Sequence, residues 1–539
     1  MFDVRRSSFN ITCERLCFFK FRMDRFDPVA RAISLDLPGP SLGDNRSHES
    51  RVRAALEYIL GQPPLFPLKI CKVLPDILSS SGYKVQTLVL DGPSGWEVAQ
   101  VSAAGDPLRS YGLAVDLGST TVVFYLVDLG SGEVVSTLSK SNPQRVHGED
   151  ILERILFAGQ GNGLETLQSE VVGLFNSSVR EIAAGHDMSP EDICFIALAG
   201  NTNMCHFFLG LDPGHICREP YIPVVNRFDL IRPGEIGINA HPQAWLYCFP
   251  NVGSYFGGDL LAGILASGMH LKEEISMLVD VGTNAEVVLG NRDWLVACAG
   301  AAGPALEGGI LSCGMRAQPG AIDRVDIDRN KLTVMFHTKD GKSPEGLCGS
   351  GIIDLLAAMF VAGLVDPTGK LVVDRDSARM QQVGGEWVYV VAGPHETGHG
   401  KPVHISQSDI KNLIRSKGAM YTILNVVIQS VGIGFEDIER FYVAGAFGNY
   451  IDPQKAIIIG MLPDVPLERF KGLGNAAGTG AIEALTWRKA RKEVEEICDK
   501  ITYLEMNVRG DFMNQLTGSL FLPHTDLTRF PSVAEMMKG

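Results

Sequence analysis

The order of apolar and polar residues predicts two similar hairpins in distant parts of the chain. Residues 111–128 read YGLAVDLGSTTVVFYLVD, and residues 277–289 read MLVDVGTNAEVVL. In each segment an apolar run is followed by Asp, then by one apolar residue, and then by Gly. Hydroxyl or amide residues come next, and a second apolar run follows them. Runs of this kind on either side of a Gly-containing turn are typical of two strands joined tightly. The sequence therefore predicts two β-hairpins, with Asp116 and Asp280 at matching positions.

The turns of these hairpins have the composition of a phosphate site. Gly lets the main chain double back and expose N–H groups, which bind phosphate oxygens together with hydroxyl and amide side chains. Alternatively, Asp and Gly serve only as turn residues. The repeated Asp favours a nucleotide clamp with two lobes. The predicted phosphate-binding residues are Gly118, Ser119, Thr120, Thr121, Gly282, Thr283 and Asn284.

Asp116 and Asp280 are the predicted ligands of Mg²⁺, directly or through its waters, because the ion prefers carboxylate oxygen. Phosphoryl transfer depends mainly on positioning and charge neutralisation, so the sequence need not supply a strong nucleophile. Asn201 is the predicted residue beside the reacting water, and Glu286 is an alternative. Glu286 can equally be an ordinary surface position of a strand.

The remaining pattern alternates between strands and helices. Apolar residues recur at helical spacing over residues 164–182, and residues 406–433 predict a second long helix. Residues 441–453, FYVAGAFGNYIDP, predict a strand that runs into a Gly-rich turn. Alternating strands and helices predict an α/β fold with ligands outside the strand ends. Small residues let a purine approach the main chain, although they also suit a plain packing turn; the predicted base-binding residues are Gly445, Ala446, Gly448 and Asn449.

The part of the chain before the first hairpin is predicted to be a tail, a linker and a small domain. Residues 34–50 are rich in Pro, Gly, Ser and Asp and predict an extended linker. Residues 51–110 combine helical spacing with alternation, which predicts a small α+β unit. The predicted boundaries are 1–25 for the tail, 26–110 for the linker and small domain, 111–275 for the first lobe and 276–539 for the second.

Composition and charge narrow the class of protein. The 539 residues are too many for one core and predict about two to four domains. The net charge of −14 argues against an electrostatic nucleic-acid interface. No apolar run approaches the roughly 18 residues that span a bilayer, and the N-terminus has no signal-peptide core, so we expect a cytoplasmic protein.

The eleven cysteines show no framework spacing and no CxxC pair, which indicates reduced thiols. Cys13 and Cys17 are the closest pair and a candidate for metal or cluster ligation. Most of the others lie in apolar contexts and are expected to be buried small residues.

Three of these motifs resemble motifs of the superfamily that unites acetate kinase, sugar kinases, heat-shock chaperones and actin (ASKHA). VDLGSTT, LVDVGTNAE and VAGAFGN are similar to its phosphate-1, phosphate-2 and adenosine motifs. The resemblance implies an α/β, two-lobed, actin-like and RNase H-like fold that binds ATP with Mg²⁺. A small N-terminal α+β domain would precede it.

Over residues 111–533 the chain more specifically resembles the reductive activators of corrinoid proteins. Residues 26–110 resemble the linker and middle portion of that family. The resemblance implies an ATPase that returns the Co(II) corrinoid of a partner methyltransferase system to Co(I), and it implies a homodimer. The segments that carry it are LAGNTNMCHFFLGLDP, LVDVGTNAEVVLG, ACAGAAGPALEGG, GLCGSGIIDLL, YVAGAFGNYIDP, LPDVPLER, GNAAGTGA and FLPHTDLTRFPS.

Two departures from the family pattern change the expectation. Many of these activators begin with a plant-type [2Fe–2S] ferredoxin domain, whose cysteines are closely spaced; nothing similar precedes Phe26. We therefore expect no [2Fe–2S] cluster in this chain, and electrons from a separate ferredoxin or other reductant, or else loss of direct electron transfer. The second departure is the thiol of Cys313, which is expected to be a buried small residue.

Three other functions stay open. One is a small-molecule kinase that uses the same clamp. Another is an activator of the 2-hydroxyacyl-CoA dehydratase type, in which two subunits share a [4Fe–4S] cluster and each supplies two cysteines. The third is a non-catalytic module that holds a corrinoid protein in one state. The ligand that stimulates ATP turnover, and the iron content, separate these functions.

Overall fold

The structure is a computed structural model, and its chain divides into two compact units. It describes residues 25–106, 108–148, 150–282, 284–301, 303, 311–376, 378–445, 451–506 and 512–538. The first unit contains the described residues up to Ala266 together with Ala477–Cys498. The second unit contains Ser267–Ala476 and the described residues from Asp499 onward.

Both units are built from strands and helices. The strands are β1 Ala30–Asp36, β2 Lys84–Gly92, β3 Gly95–Ala103, β4 Tyr111–Leu117, β5 Thr121–Asp128, β6 Val134–Ser141, β7 Ile193–Gly200, β8 Trp245–Cys248, β9 Ser276–Val281, β10 Asn284–Gly290, β11 Leu295–Ala301, β12 Ala321–Ile327, β13 Val334–Thr338, β14 Gly346–Leu347, β15 Met380–Val383, β16 Glu386–Ala392, β17 Val403–Ser406, β18 Arg440–Ala444, β19 Phe470–Gly474 and β20 Ile501–Glu505. The helices are α1 His48–Leu60, α2 Leu68–Ser80, α3 Ile151–Ala158, α4 Gly163–Gly185, α5 Thr202–Leu209, α6 Gly258–Ser267, α7 Gly349–Val361, α8 Gln407–Val431, α9 Pro453–Ile458, α10 Ala476–Thr486, α11 Ala490–Lys500, α12 Phe512–Ser519 and α13 Pro531–Lys538.

The first unit begins with a small α+β arrangement, as predicted for residues 51–110. β1, β2 and β3 form an antiparallel sheet in that order, and α1 and α2 share its apolar core. The predicted extended linker of residues 34–50 is wrong at both ends. Alternation in β1 buries Leu35 in the core, which holds that end of the segment in a strand. At the other end Ser47 caps α1 by accepting a hydrogen bond from the main-chain N–H of Ser50 at 3.0 Å.

The main sheet of the first unit has the strand order β6-β5-β4-β7-β8. β4, β5 and β6 form an antiparallel meander, whereas β7 runs parallel to β4 and β8 runs parallel to β7. The apolar face of α4 packs on this sheet, with the rings of Phe124 and Phe175 edge to face at 5.0 Å. The predicted first hairpin and the predicted helix over residues 164–182 are therefore confirmed.

The main sheet of the second unit repeats this order. β11-β10-β9-β18-β19 has the same antiparallel meander and the same two parallel strands, and β20 extends the sheet beyond β11. The long helix α8 shares the core with this sheet. The duplicated topology places the two Asp-containing hairpins, β4–β5 and β9–β10, at equivalent positions of the two sheets. The predicted second hairpin is confirmed.

The predicted long helix over residues 406–433 is confirmed as α8, and its start is fixed by side chains. Ser406 Oγ accepts from the N–H of Asp409, and Asp409 Oδ2 accepts from the N–H of Ser406, each at 3.0 Å. This reciprocal capping satisfies two main-chain donors at the start of the helix. Among the described residues, no helix has both the length and the apolar character that a bilayer crossing requires.

Candidate nucleotide-binding site

The first Asp-containing turn joins β4 to β5. Asp116 is the second-last residue of β4 and is half-buried, and residues 118–121 separate the last paired residues, Leu117 and Val122. The turn is tight, because a Cβ at Gly118 would lie 2.5 Å from the main-chain oxygen of Thr121. The predicted phosphate-binding residues Gly118, Ser119, Thr120 and Thr121 are therefore together, and they are half-buried.

Asn142 holds this turn and was not predicted. Its Nδ2 donates to the carbonyl oxygen of Gly118 at 2.9 Å, and its main-chain N–H donates to the carbonyl oxygen of Thr120 at 2.9 Å. Its Oδ1 accepts from the N–H of Gln144 at 3.0 Å, and only 2% of Asn142 is exposed. These bonds engage the carbonyl groups of Gly118 and Thr120 and fix the path of the turn.

Asn201 lies at the same edge of the first sheet as Asp116. The parallel pairing of β4 and β7 sets Asp116 opposite Ala199 and Leu117 opposite Gly200, directly before Asn201. Asn201 caps α5, since its Oδ1 accepts from the N–H of Met204 at 2.9 Å. This contact gives Asn201 a structural role, and its predicted part in water activation stays a prediction.

Asp259 is a further candidate at this edge. A Cβ at Gly257 would lie 2.4 Å from Cα of Asn201 and 2.8 Å from Oδ1 of Asp259. Glycine at position 257 therefore allows the start of α6 to approach Asn201. The sequence does contain a signal here, the Gly257-Gly258-Asp259 run before an apolar helix. It does not show that this run lies next to Asn201.

His206 lies in α5, the helix that Asn201 caps, and its contacts are structural. Its ring is buried, Nδ1 lies 2.7 Å from the carbonyl oxygen of Thr202, and Nε2 accepts from the N–H of Val224 at 3.1 Å. The two contacts require a neutral ring that donates from Nδ1 and accepts at Nε2. Burial lowers the pKa of His206 accordingly. His206 therefore ties α5 to the irregular segment that contains Val224.

The second Asp-containing turn joins β9 to β10 in the second unit. Asp280 is the second-last residue of β9 and is half-buried, and it pairs across the sheet with Glu286. The N–H of Gly282 donates to the carbonyl oxygen of Asn284 at 2.9 Å, which closes the turn. The register shows that Asp280 and Glu286 are cross-strand neighbours, so both alternatives for Glu286, strand position and site residue, stay open.

Gly445 lies against the carboxylate of Asp280. β18 runs parallel to β9 with Ala444 opposite Asp280, and Gly445 follows with φ of 78°. A Cβ at Gly445 would lie 2.7 Å from Oδ1 of Asp280. Glycine is therefore required here for two reasons, the left-handed backbone and the close approach of the carboxylate. The structure brings together the predicted residues Asp280 and Gly445.

Four predicted residues lie outside the described part of the chain. One is Thr283 in the second turn. The others belong to the predicted base-binding turn after Gly445 and are Ala446, Gly448 and Asn449. Cys13 and Cys17 also lie outside it. Their predicted roles stay predictions.

The donor set of each turn, taken by itself, fits phosphate oxygens and Mg²⁺. Each turn has one carboxylate at a strand end, which suits Mg²⁺, and tight main chain with hydroxyl or amide side chains, which suits phosphate oxygens. When bound, Mg²⁺ would neutralise charge on the phosphates. Asp116 in the first unit and Asp280 in the second each have the carboxylate that such an ion prefers. Gly118–Thr121 and Gly282–Asn284 would hold the phosphates.

Three family profiles match the chain one after another. They are described as the RACo linker region, over residues 22–106, the RACo middle region, over residues 111–272, and the C-terminal domain of RACo, the ASKHA domain, over residues 274–534. The chain is 32% identical over 512 residues to "Corrinoid activation enzyme RamQ" of Eubacterium limosum, covering 90% of this chain and 82% of that protein. The chain therefore belongs to the RACo family of corrinoid activation enzymes.

A second relative and one solved structure agree with this assignment. The chain is 25% identical over 441 residues to "[Co(II) methylated amine-specific corrinoid protein] reductase" of Methanosarcina barkeri, covering 75% of each chain. The solved structure described as "Reductive activator for corrinoid,iron-sulfur protein" is 39% identical and superimposes with a TM-score of 0.87. The match covers 94% of this chain and 81% of that chain. The predicted family and the predicted ASKHA fold class are confirmed.

Proposed function

We propose that this protein is an ATPase that reductively activates a corrinoid protein, returning its cobalt from Co(II) to Co(I). One electron passes to the cobalt, while ATP and water give ADP and phosphate. The complex with the corrinoid protein would have more than one conformation, and ATP and ADP would bind these conformations with different affinities. Hydrolysis would therefore shift the population from one conformation to another. The observation that carries the proposal is the match of 94% of this chain to a solved reductive activator at 39% identity.

Within this proposal the two Asp-containing turns bind one Mg-ATP. Asp116 and Asp280 bind the metal ion, and the turns that follow them bind phosphate oxygens. Asn142 keeps the first turn in the required shape, because it bonds two of its carbonyl groups. Gly445 leaves room for the carboxylate of Asp280. Asn201 and Asp259 are the proposed residues around the reacting water.

The partners are a second part of the proposal. The corrinoid protein would belong to a methyltransferase system, and the electrons would come from a separate ferredoxin or other reductant. A homodimer is the proposed assembly. Iron analysis of anaerobically purified protein tests the separate donor, since a resident cluster would bring stoichiometric iron. Sedimentation analysis tests the dimer.

ATP turnover with different additions separates the proposal from its alternatives. Turnover is measured for the wild type alone, with a Co(II) corrinoid protein, and with a panel of acids and sugars. We expect stimulation by the corrinoid protein and no transfer of phosphate to a metabolite. Asp116→Ala should abolish turnover, while its circular dichroism spectrum stays that of the wild type. Phosphorylation of a metabolite would instead identify a kinase, and unchanged turnover in Asp116→Ala would remove Asp116 from the site.

A further inference from the structure

Cys313 has a histidine partner in the second unit. Its Sγ lies 3.6 Å from Nδ1 of His404 on β17 and 3.9 Å from the carbonyl oxygen of Pro402. Cys313 and His404 are both half-buried. The expectation of a buried small residue is therefore met only in part, because this thiol is half-buried and packed against a polar side chain.

The main chain on both sides of the pair is fixed. The carbonyl oxygen of Cys313 accepts from the N–H of Leu347 at 2.8 Å. The preceding residue, Ser312, donates its N–H and Oγ to Oδ1 of Asp409 at 3.0 and 3.2 Å. His404 is held in the sheet opposite Val390. Sulfur and imidazole therefore keep their distance through the surrounding fold.

We propose that Cys313 is a site of oxidation by peroxides, with His404 as the group that accepts its proton. This inference does not depend on the proposed ATPase activity. A cysteine beside a base is the arrangement that generates a nucleophilic thiolate. Cys313 is thus distinguished by its partner from the other half-buried cysteines, Cys71 and Cys217.

The charges around the pair agree with this role. Burial raises the pKa of Cys313, but the hydrogen bonds and charge of His404 outweigh burial and hold the pKa below its usual value. The hydrogen bond to Cys313 raises the pKa of His404. Asp409, the other charged group that acts on both, raises both pKa values.

Fully buried cysteines provide the contrast. Burial raises the pKa of Cys194 and of Cys248 to about 12, and it raises the pKa of Cys205 well above its usual value. Such thiols stay protonated at neutral pH and are poor nucleophiles. A thiol of ordinary pKa is itself only a few per cent thiolate at pH 7, so the lowered pKa of Cys313 increases its thiolate fraction.

The reaction is balanced with hydrogen peroxide as the oxidant. The thiolate sulfur attacks one peroxide oxygen, the S–O bond forms and the O–O bond breaks. Sulfur loses two electrons and becomes a sulfenic acid, and the other oxygen leaves as hydroxide. The proton held at Nδ1 of His404 converts this hydroxide to water.

The test uses the reduced full-length protein and a short pulse of hydrogen peroxide at pH 7. Dimedone traps sulfenic acids, and peptide mass spectrometry locates them. We expect Cys313 to be labelled at least about fivefold faster than Cys71 or Cys217, since the rate follows the thiolate fraction. His404→Gln should remove most of this difference. Equal labelling of the three cysteines would overturn the proposal.

The pH profile gives a second readout that does not require a stable variant. Iodoacetamide alkylation of the wild type is followed for each cysteine between pH 5 and 9. Cys313 should reach half of its maximum rate at a lower pH than Cys71. In His404→Gln, checked by circular dichroism, its midpoint should move to higher pH, because burial then acts on the thiol without the opposing histidine. A midpoint for Cys313 equal to that of Cys71 in the wild type would contradict the role of His404.

Discussion

The side chain of Asn142 donates from Nδ2 to the main-chain carbonyl oxygen of Gly118 over 2.9 Å, across 24 residues of sequence. This bond joins the end of β6 to the turn that follows Asp116. The turn thus owes its shape to a residue outside the hairpin as well as to its own glycine.

Asn142→Ala should weaken ATP binding about three- to tenfold. The variant loses side-chain hydrogen bonds whose net worth is roughly 0.5–1.5 kcal/mol each, and they fix the phosphate-binding turn. Isothermal titration of Mg-ATP measures the effect. Asn291→Ala is the matched control, because Asn291 makes the same two kinds of bond, to the carbonyl of Glu273 and the N–H of Asp293, in an exposed turn. Equal affinity of Asn142→Ala and the wild type would show that the bond does not shape the site.

Gly445→Ala should reduce Mg-ATP affinity by displacing the carboxylate of Asp280. Alanine adds a Cβ that would lie 2.7 Å from Oδ1 of Asp280, and a left-handed backbone costs a non-glycine residue roughly 1–2 kcal/mol. Gly432→Ala carries the same backbone penalty at φ of 74°, with no atom within 4 Å of the added Cβ. The two variants should lose similar stability, and only Gly445→Ala should lose affinity. Loss of affinity in both would point to a general effect on folding.

Asp280→Ala should weaken Mg-ATP binding more than it weakens folding. Changes even in the outer sphere of a metal cost about 10- to 100-fold in affinity, so loss of a carboxylate ligand should cost at least about tenfold. Calorimetric titration gives the affinity, and melting of the ligand-free protein gives the stability. Asp293→Ala, at an exposed position of the next turn, should change neither. A large drop in melting temperature with retained binding would assign Asp280 a structural role instead.

The sequence predicted the two hairpins and the two long helices because their signals are local. Val, Leu and Phe runs flank each Gly-containing turn, and apolar residues recur along α4 and α8 at helical spacing. β6 was missed because its sequence, VVSTLSKS, is an exposed edge with little apolar character. β8 was missed because its four residues lie in a Pro-rich stretch and are paired with β7, some fifty residues earlier.

The site could be predicted only where the chain carries its own signal. Asp116 and Asp280 stand out because each ends an apolar run before Gly. Asn142 and Asp259 gain their places from strands and helices that are distant in sequence. Asn142 is followed by Pro, which indicates a turn, but nothing local identifies Gly118 as its partner. Long-range packing decides such contacts.

Because of Asp354, the free energy of unfolding of the second unit should fall as the pH rises. The side chain is 7% exposed and accepts from the N–H of Val325 at 3.4 Å. Burial raises the pKa of Asp354 to about 7, although the charge of Lys455 lowers it. The folded form therefore keeps a proton that the unfolded chain releases near pH 4. Stability from this group is present below that pH and is lost as the pH rises to about 7.

Asp354→Asn should remove this loss, because the amide keeps the acceptor and cannot ionise. Urea unfolding at pH 5 and pH 8 measures it. The free energy of unfolding of the variant, relative to that of the wild type, should be higher at pH 8 than at pH 5 by up to about 3 kcal/mol. Asp76→Asn, at an exposed position of α2, should follow the wild type at both. Parallel pH profiles for Asp354→Asn and the wild type would contradict the assignment.

The most direct test of the proposed function follows the cobalt itself. Under anaerobic conditions the protein is mixed with a Co(II) corrinoid protein, a chemical reductant and Mg-ATP, and the absorbance of Co(I) is recorded. We predict that Co(I) accumulates with ATP, and does not accumulate when ATP is omitted or when Asp116→Ala replaces the wild type. Co(I) formation at the same rate with and without ATP would contradict ATP-dependent reductive activation.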